Sequence, residues 1–269
     1  MITLAELPLR ILPTQVVTAR RPQRMLERMW VVTRAGAWTV VVTGFFEPLF
    51  YLLSIRVGFG GLIGDVEYAG QMIPYADFVA PALFAASAMN GSIYEATNIF
   101  FRLKYDHVYE SVLMTPLTSG DVALGEMLYA TIRGSLYSVA FLATMWALGM
   151  TGSTWAIAML AVGALISFSF SAIAIAGVTY MRSYSDFEYV PSIMLPMFLF
   201  SGTFYPVSSY GDWAWVAQLS PLYHGVVVVR GLNLGEWSWT YIPHLGVLVA
   251  MALVGVSVTA RRIDTLLLK

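Results

Sequence analysis

The sequence contains no cysteine, which excludes disulfides, thiolate metal centres and cysteine nucleophiles and leaves nothing from which to read a redox compartment. Charge is scarce as well: Asp, Glu, Lys and Arg make up 12% of 269 residues, against about 25% in an ordinary soluble domain. With 15 basic and 16 acidic side chains the formal net charge is −1, so there is no basic field to hold nucleic acid. None of the three histidines, His107, His224 and His244, has a second histidine or carboxylate at metal-ligand spacing, and solvated or interfacial roles are expected for them. No G-x-S-x-G elbow occurs, and the glycine-rich stretch GFGGLIGDVEYAG lacks the Lys-Ser or Lys-Thr of a phosphate loop, so it reads as a flexible extracytoplasmic loop. The carboxylates Glu47, Glu95 and Glu126 stand singly rather than as a general acid/base pair. No catalytic, cofactor or metal site is expected in this chain.

Long apolar runs are what the sequence has in abundance. It is 58% hydrophobic with a mean hydropathy of +0.70, the composition of a polytopic all-α membrane protein. Six spans are predicted at about 30–55, 75–101, 122–148, 155–181, 187–204 and 241–260, each judged against the roughly 20 residues a bilayer core needs. The whole forms one domain: an amphipathic N-terminus (1–29), a six-helix core (30–260) and a short tail (261–269). No signal peptide precedes the first run, so the N-terminus is expected in the cytoplasm. Just before that run, PQRMLERMW sets Met25, Leu26, Met29 and Trp30 against Arg21, Arg24 and Arg28. That basic amphipathic helix suits either an anchor on anionic lipid or a docking surface for a cytoplasmic subunit.

Three features inside the spans are unusual. Glu47 is followed by Pro48, so a carboxylate at membrane depth, expected to face inward, sits at a kink. The fourth span is rich in Ala, Gly and Ser, which permit close helix packing. The fifth contains Pro191 and Pro196 and should be bent and short. Beyond it, WAWVAQL and LYHGVVVVRGL are each nearer ten residues than twenty, which suits re-entrant outer segments, with Trp213, Trp215, Trp237 and Trp239 marking an interface.

Between the second and third spans lies a polar island, RLKYDHVYESVLMTPLTSGDVALGE. Its apolar residues fall at Tyr105, Val108, Tyr109, Val112 and Leu113, the stripe of a short amphipathic helix. Asp106, His107, Glu110 and Ser111 take the other face. Pro116 stops that helix, and Thr118 with Asp121 forms a capping box for the next. From this pattern the island suits a mechanical handle joining two spans or an interfacial helix floating in the headgroups. Eleven of the fifteen basic residues fall on the side of the termini, the island and the turn at Arg182, against Arg56 and Arg230 opposite. That bias puts both termini and the island in the cytoplasm.

FFEPLFYLL with GFGG, YADFVAPALFA, YESVLMTPLTSGDVALGEML and LPMFLFSGTFYPVSSYGDWAWVAQLSPLYHGVVVVRGL together resemble the permease subunit of type-two ABC exporters, in the branch of nodulation lipo-oligosaccharide and daunorubicin-type drug exporters. The resemblance implies a plasma-membrane permease that pairs with a second copy, as homodimer or related heterodimer. Each copy would receive a cytoplasmic ATPase that binds ATP and magnesium. It further implies that Tyr105, Asp106, His107, Tyr109, Glu110, Met114 and Pro116 belong to a coupling helix seated in that ATPase, with Arg21, Arg24 and Arg28 on an interface helix beside it. Glu47, Glu95, Phe204, Tyr205, Trp213, Trp215 and His224 would then line the substrate path or outer gate. An amphipathic drug, glycolipid or lipid-linked cargo fits the apolar spans. The competing reading is an ion-driven transporter or channel with Glu47, Glu95, Glu126 and Arg133 as a relay.

Overall fold

A computed structural model describes residues 16, 19–34, 37–59 and 63–267; the side chains of 32, 33, 37–41, 43–45, 47 and 267 lie outside that description. Helix α1, Pro22–Thr33, begins with proline in its first turn, where the missing N–H costs nothing. Helix α2, Ala37–Ser54, carries Pro48 in its interior and runs into a π-helical turn, Ile55–Phe59. Trp30, expected at the head of the first span, therefore belongs to α1. Glu47 itself falls among the undescribed side chains.

The expected slack loop after this span is ordered in part. Val66–Tyr68 and Gln71–Ile73 form a two-stranded antiparallel hairpin with Tyr68 opposite Gln71. Ala69 and Gly70 between them both take positive φ, as a tight two-residue hairpin turn demands. Apart from this hairpin, the regular structure among the described residues is helical, in keeping with an all-α class.

Helix α3, Tyr75–Lys104, and helix α5, Ser119–Ala147, flank the island helix α4, Val108–Leu113. At 30 and 29 residues the long pair measure about 45 and 43 Å at 1.5 Å per residue. A 3-10 turn, Thr154–Ala158, leads into α6, Met159–Val178. Thr154–Val178 and Tyr241–Leu266 are the two described stretches long and apolar enough to cross a bilayer. Helices α3 and α5 carry charged residues along their length, and of these Glu95, Arg102, Glu126 and Arg133 pair with one another.

Helix α7, Tyr189–Leu199, follows a 3-10 turn, Tyr184–Glu188, and has 11 residues, about 16 Å against a core of about 30 Å. The fifth predicted span is thus much shorter than a full crossing, with Pro196 inside the helix and Gly202 turning the chain at φ +71°. Next come a 3-10 segment Val207–Trp213, α8, Ala214–Leu219, and α9, Pro221–Leu234, which Gly235 closes in the left-handed conformation. Helix α10, Tyr241–Leu267, ends the fold.

Helix α3 lies against α5, α6 and α9, and α6 also packs on α10. Small residues let these axes approach. A Cβ on Gly134 of α5 would sit 2.5 Å from Ser167 Oγ and 2.7 Å from the Ala88 carbonyl; one on Gly255 of α10 would meet the α6 backbone at Ala172 at 2.6 Å. Hydroxyls of α6 use the same proximity: Ser167 donates to Ala88 O at 3.2 Å and Ser169 to Leu248 O at 2.9 Å. This is the close packing expected of a segment rich in Ala, Gly and Ser.

Candidate functional site: a handle keyed to a buried ion cluster

The island folds as helix, stop, new helix, with one shift in boundary. Its short helix begins at Val108, because His107 takes a left-handed conformation at φ 48° and caps it. His107 Nδ1 lies 2.9 Å from Glu110 Oε1, both side chains exposed. Tyr105 and Asp106 precede the helix and are exposed, so Tyr105 does not share the buried stripe; its ring rests edge-on against Phe100 at 5.8 Å. Tyr109 and Val112 are the residues of α4 that go inside. The helix ends before Pro116, and Met114 stands 90% exposed.

Helix α5 starts with the expected reciprocal cap. Asp121 N–H donates to Thr118 Oγ1 at 3.2 Å, and Asp121 Oδ2 accepts from Thr118 N–H at 2.9 Å. Asp121 also accepts from Arg21 N–H at 2.6 Å, tying the entry of α1 to the start of α5. Burial raises the Asp121 carboxyl, but the amide and hydroxyl bonds from Thr118 and the amide of Arg21 outweigh it and hold the group below its ordinary range. Arg20, Arg21, Pro116, Thr118 and Asp121 line a cleft of about 370 Å³ here. Arg24 pairs with Glu27 at 2.8 Å on the open face of α1, and Arg28 is half-buried. Met25 and Met29 are buried, and Met25 fills the space over Gly125.

Tyr109 is 2% exposed, and its hydroxyl donates to Glu126 Oε1 at 2.7 Å. The other oxygen of Glu126 pairs with Arg102 Nη1 at 2.5 Å, and Arg102 Nη2 pairs with Glu95 Oε1 at 2.5 Å. Glu95 is completed by Arg133 and by Asn98 Nδ2 at 3.3 Å. Two buried carboxylates, two arginines and one tyrosine thus form a continuous chain from α4 through α5 to α3. Glu95 and Glu126, two of the three carboxylates read as standing singly, are joined through Arg102, and Glu126 and Arg133, seven residues apart on α5, meet through the same network. Arg102 was not among the expected site residues. Its signal was present: it follows Glu95 by seven residues, two turns along one face.

The expected path residues divide differently. Glu95 is committed to the ion cluster. Phe204 stacks edge-on against Phe198 at 5.2 Å and lines, with Tyr51, Ser54, Ile55, Phe59 and Tyr75, a cavity of about 310 Å³. A smaller cavity of about 100 Å³ beneath Pro48 is lined by Tyr51, Ser87, Asn90 and Phe198 among others. Ser87 and Asn90 give that cavity its polar groups. Tyr205 is exposed, and Trp213 and Trp215 stack at 6.4 Å with both rings largely open. His224 is brought to His244, 20 residues away in sequence, a pairing that the absence of metal-ligand spacing did not suggest; their Nδ1 atoms lie 2.7 Å apart. Arg230, read only as an outer-side charge, is 3% exposed. It donates to Phe78 O at 3.1 Å and Gly202 O at 3.0 Å, with its guanidinium 3.8 Å from the Phe78 ring centre. No group of three or more potential metal ligands occurs among the described residues.

Residues 23–234 match the ABC-2 type transporter family. The chain is similar to Nodulation protein J of Rhizobium meliloti (strain 1021), 28% identical over 230 residues that cover 84% of this chain and 86% of that one. It is similar to Nodulation protein J of Neorhizobium galegae, 29% identical over 205 residues covering 75% and 77%. It is also similar to inner membrane transport permease YadH of Escherichia coli (strain K12), 21% identical over 227 residues covering 83% and 88%. The chain belongs to the ABC-2 type transporter family, integral membrane permeases whose partner is an ATPase.

Proposed function

We propose that this chain is the permease of an exporter in which a separate cytoplasmic ATPase, binding ATP and magnesium, grips α4 and moves α3 and α5 through it. The observation that carries this reading is the Tyr109–Glu126–Arg102–Glu95 chain. A helix that merely floats in the headgroups has no use for a buried, charge-assisted tie to two long helices. The exposed surface of α4, with Met114, Glu110 and His107, is left for the ATPase, and α1 lies alongside as the interface helix. The chain crosses the membrane six times with both termini inside, the fifth crossing completed by the irregular segments around α7. A second permease copy completes the route past Pro48, Phe204 and the α8–α9 segments, and the cargo is an amphipathic drug, glycolipid or lipid-linked molecule.

The same network bears on the ion-relay reading. Glu95 and Glu126 are saturated by Arg102, Arg133 and Tyr109, which favours a rigid joint over a proton path. Because the chain has no cysteine, one thiol at Met114→Cys tests the assignment cleanly. It should react with a membrane-impermeant maleimide only after the inner face is opened, and a short bifunctional reagent should join it to the ATPase subunit. Labelling from the outer face would overturn the proposal.

A further inference from the structure

We propose that His224 and His244 form a proton-operated latch that holds α8 and the first half of α9 against α10. The hydrogen-bond pattern fixes the tautomers. The Gln218 carbonyl, which can only accept, lies 3.0 Å from His224 Nε2, so that nitrogen carries the proton of the neutral ring. His224 Nδ1 is therefore an acceptor, and the donor 2.7 Å away is His244 Nδ1–H. What remains is the lone pair on His244 Nε2.

This arrangement takes two protons with opposite consequences. The first adds at His244 Nε2 and leaves the Nδ1–H···Nδ1 bond in place. The second has only His224 Nδ1 to occupy, which sets two N–H groups face to face at hydrogen-bond distance and two positive rings in contact; the titration belongs to the pair. The surroundings offer no relief. From α9, Tyr223 packs against both rings at 5.5 and 5.8 Å. Behind it stand Tyr68 of the hairpin and the cation of Arg230; α8 presents only the Gln218 carbonyl, and α10 contributes His244 itself. Among the described residues no carboxylate pairs with either imidazole.

Release at this point has a defined hinge. Seven residues along α9, Gly231 receives the Tyr241 ring so closely that a Cβ there would lie 1.9 Å from its hydroxyl, and nothing in that contact titrates with the imidazoles. Doubly protonated, α9 should part from α10 at its His224 end and stay fixed at its Gly231 end.

Amide hydrogen exchange on the full chain in lipid nanodiscs, corrected for intrinsic rates, reads this directly and does not depend on transport. Between pH about 7.5 and about 4.5, protection over residues 216–226 should fall about tenfold, the scale of one broken hydrogen bond with added like-charge repulsion, while residues 229–235 hold theirs. In His224→Gln and in His244→Gln the acid-dependent fall should vanish. In the wild-type chain, imidazole nitrogen resonances at neutral pH should show His224 protonated at Nε2 and His244 at Nδ1. The opposite tautomers, a fall shared equally by both segments, an unchanged fall in the glutamine variants, or no fall at all would overturn the latch.

Discussion

Tyr109→Phe isolates the joint between handle and helices more sharply than any other single change. The ring is buried and stays, so packing of α4 on α3 and α5 is preserved. What disappears is one 2.7 Å hydrogen bond to a fully buried carboxylate oxygen. Hydrogen bonds to charged groups contribute about 1.5–3 kcal/mol, and here Glu126 keeps its pairing with Arg102 at 2.5 Å, which places the loss toward the lower end. At about 1.4 kcal/mol per factor of ten, tightness of the α4–α5 tie should fall about tenfold. In the reconstituted complex, substrate-stimulated ATP hydrolysis should drop by a similar factor while unstimulated hydrolysis and assembly with the ATPase persist. A double-mutant cycle with Glu126→Gln supplies the second measure, because residues that share a bond are coupled and independent ones add within about 0.5 kcal/mol. Stimulated hydrolysis within twofold of wild type, together with an additive cycle, would refute the reasoning.

Arg102→Leu leaves Glu95 and Glu126 facing each other without their shared cation, and breaking a buried pair in this way costs about 3–5 kcal/mol; detergent-extracted yield should collapse and partly recover in Arg102→Leu with Glu126→Gln. Gly134→Val forces a side chain into the α3–α6 contact, where overpacking costs about 1–3 kcal/mol, and should lower the midpoint of thermal unfolding with no change in membrane insertion. Thr118→Ala removes half of the reciprocal cap, about 1 kcal/mol, read as earlier proteolysis between α4 and α5. Because Asp121 titrates below its ordinary value when folded, its share of stability is complete above about pH 4 and is lost as pH falls through the lower folded value. Comparing wild type with Asp121→Asn from pH 6 to pH 3 should show the difference between them shrinking in acid.

How much of this was legible follows from the range of the contacts. The capping box at Thr118 and the buried pair Tyr109 and Val112 are local, set by residues three apart, and were visible as pattern. The start of α4 was misjudged because Tyr105 continues the apolar stripe, while the left-handed turn at His107 interrupts it without any mark in the apolar spacing. The length of α7 was half visible in Pro191 and Pro196. The hairpin was not: three-residue strands carry too little alternation to stand out beside a glycine-rich stretch. Partnerships across helices were hidden altogether. Arg133 and Glu95 are 38 positions apart and His224 and His244 are 20, and nothing in one sequence says which polar residues of two long helices will share a depth.

The placement of those partners explains why the island has the form it does. Met25 of α1 packs over Gly125, and Tyr109 of α4 bonds to Glu126, so two separate helices address consecutive residues of α5. Gly125 accepts contact at its backbone, because any Cβ would lie 2.4 Å from that of Met25; Glu126 accepts contact through a side chain committed to Arg102. An apolar interface of the same size can slide by a rotamer or a register, since dispersion contacts are non-directional. A bond from a phenol to a carboxylate whose other oxygen holds an arginine has one geometry, and displacing α4 by an ångström breaks it. Under the proposed coupling, that stiffness is what lets a push on six residues reach α3 and α5 together. It also predicts where uncoupling substitutions concentrate: at Tyr109, Glu126 and Arg102, where direction is set, and not at Val112, where an aliphatic exchange removes no directional bond and should leave stimulated ATP hydrolysis within about twofold of wild type.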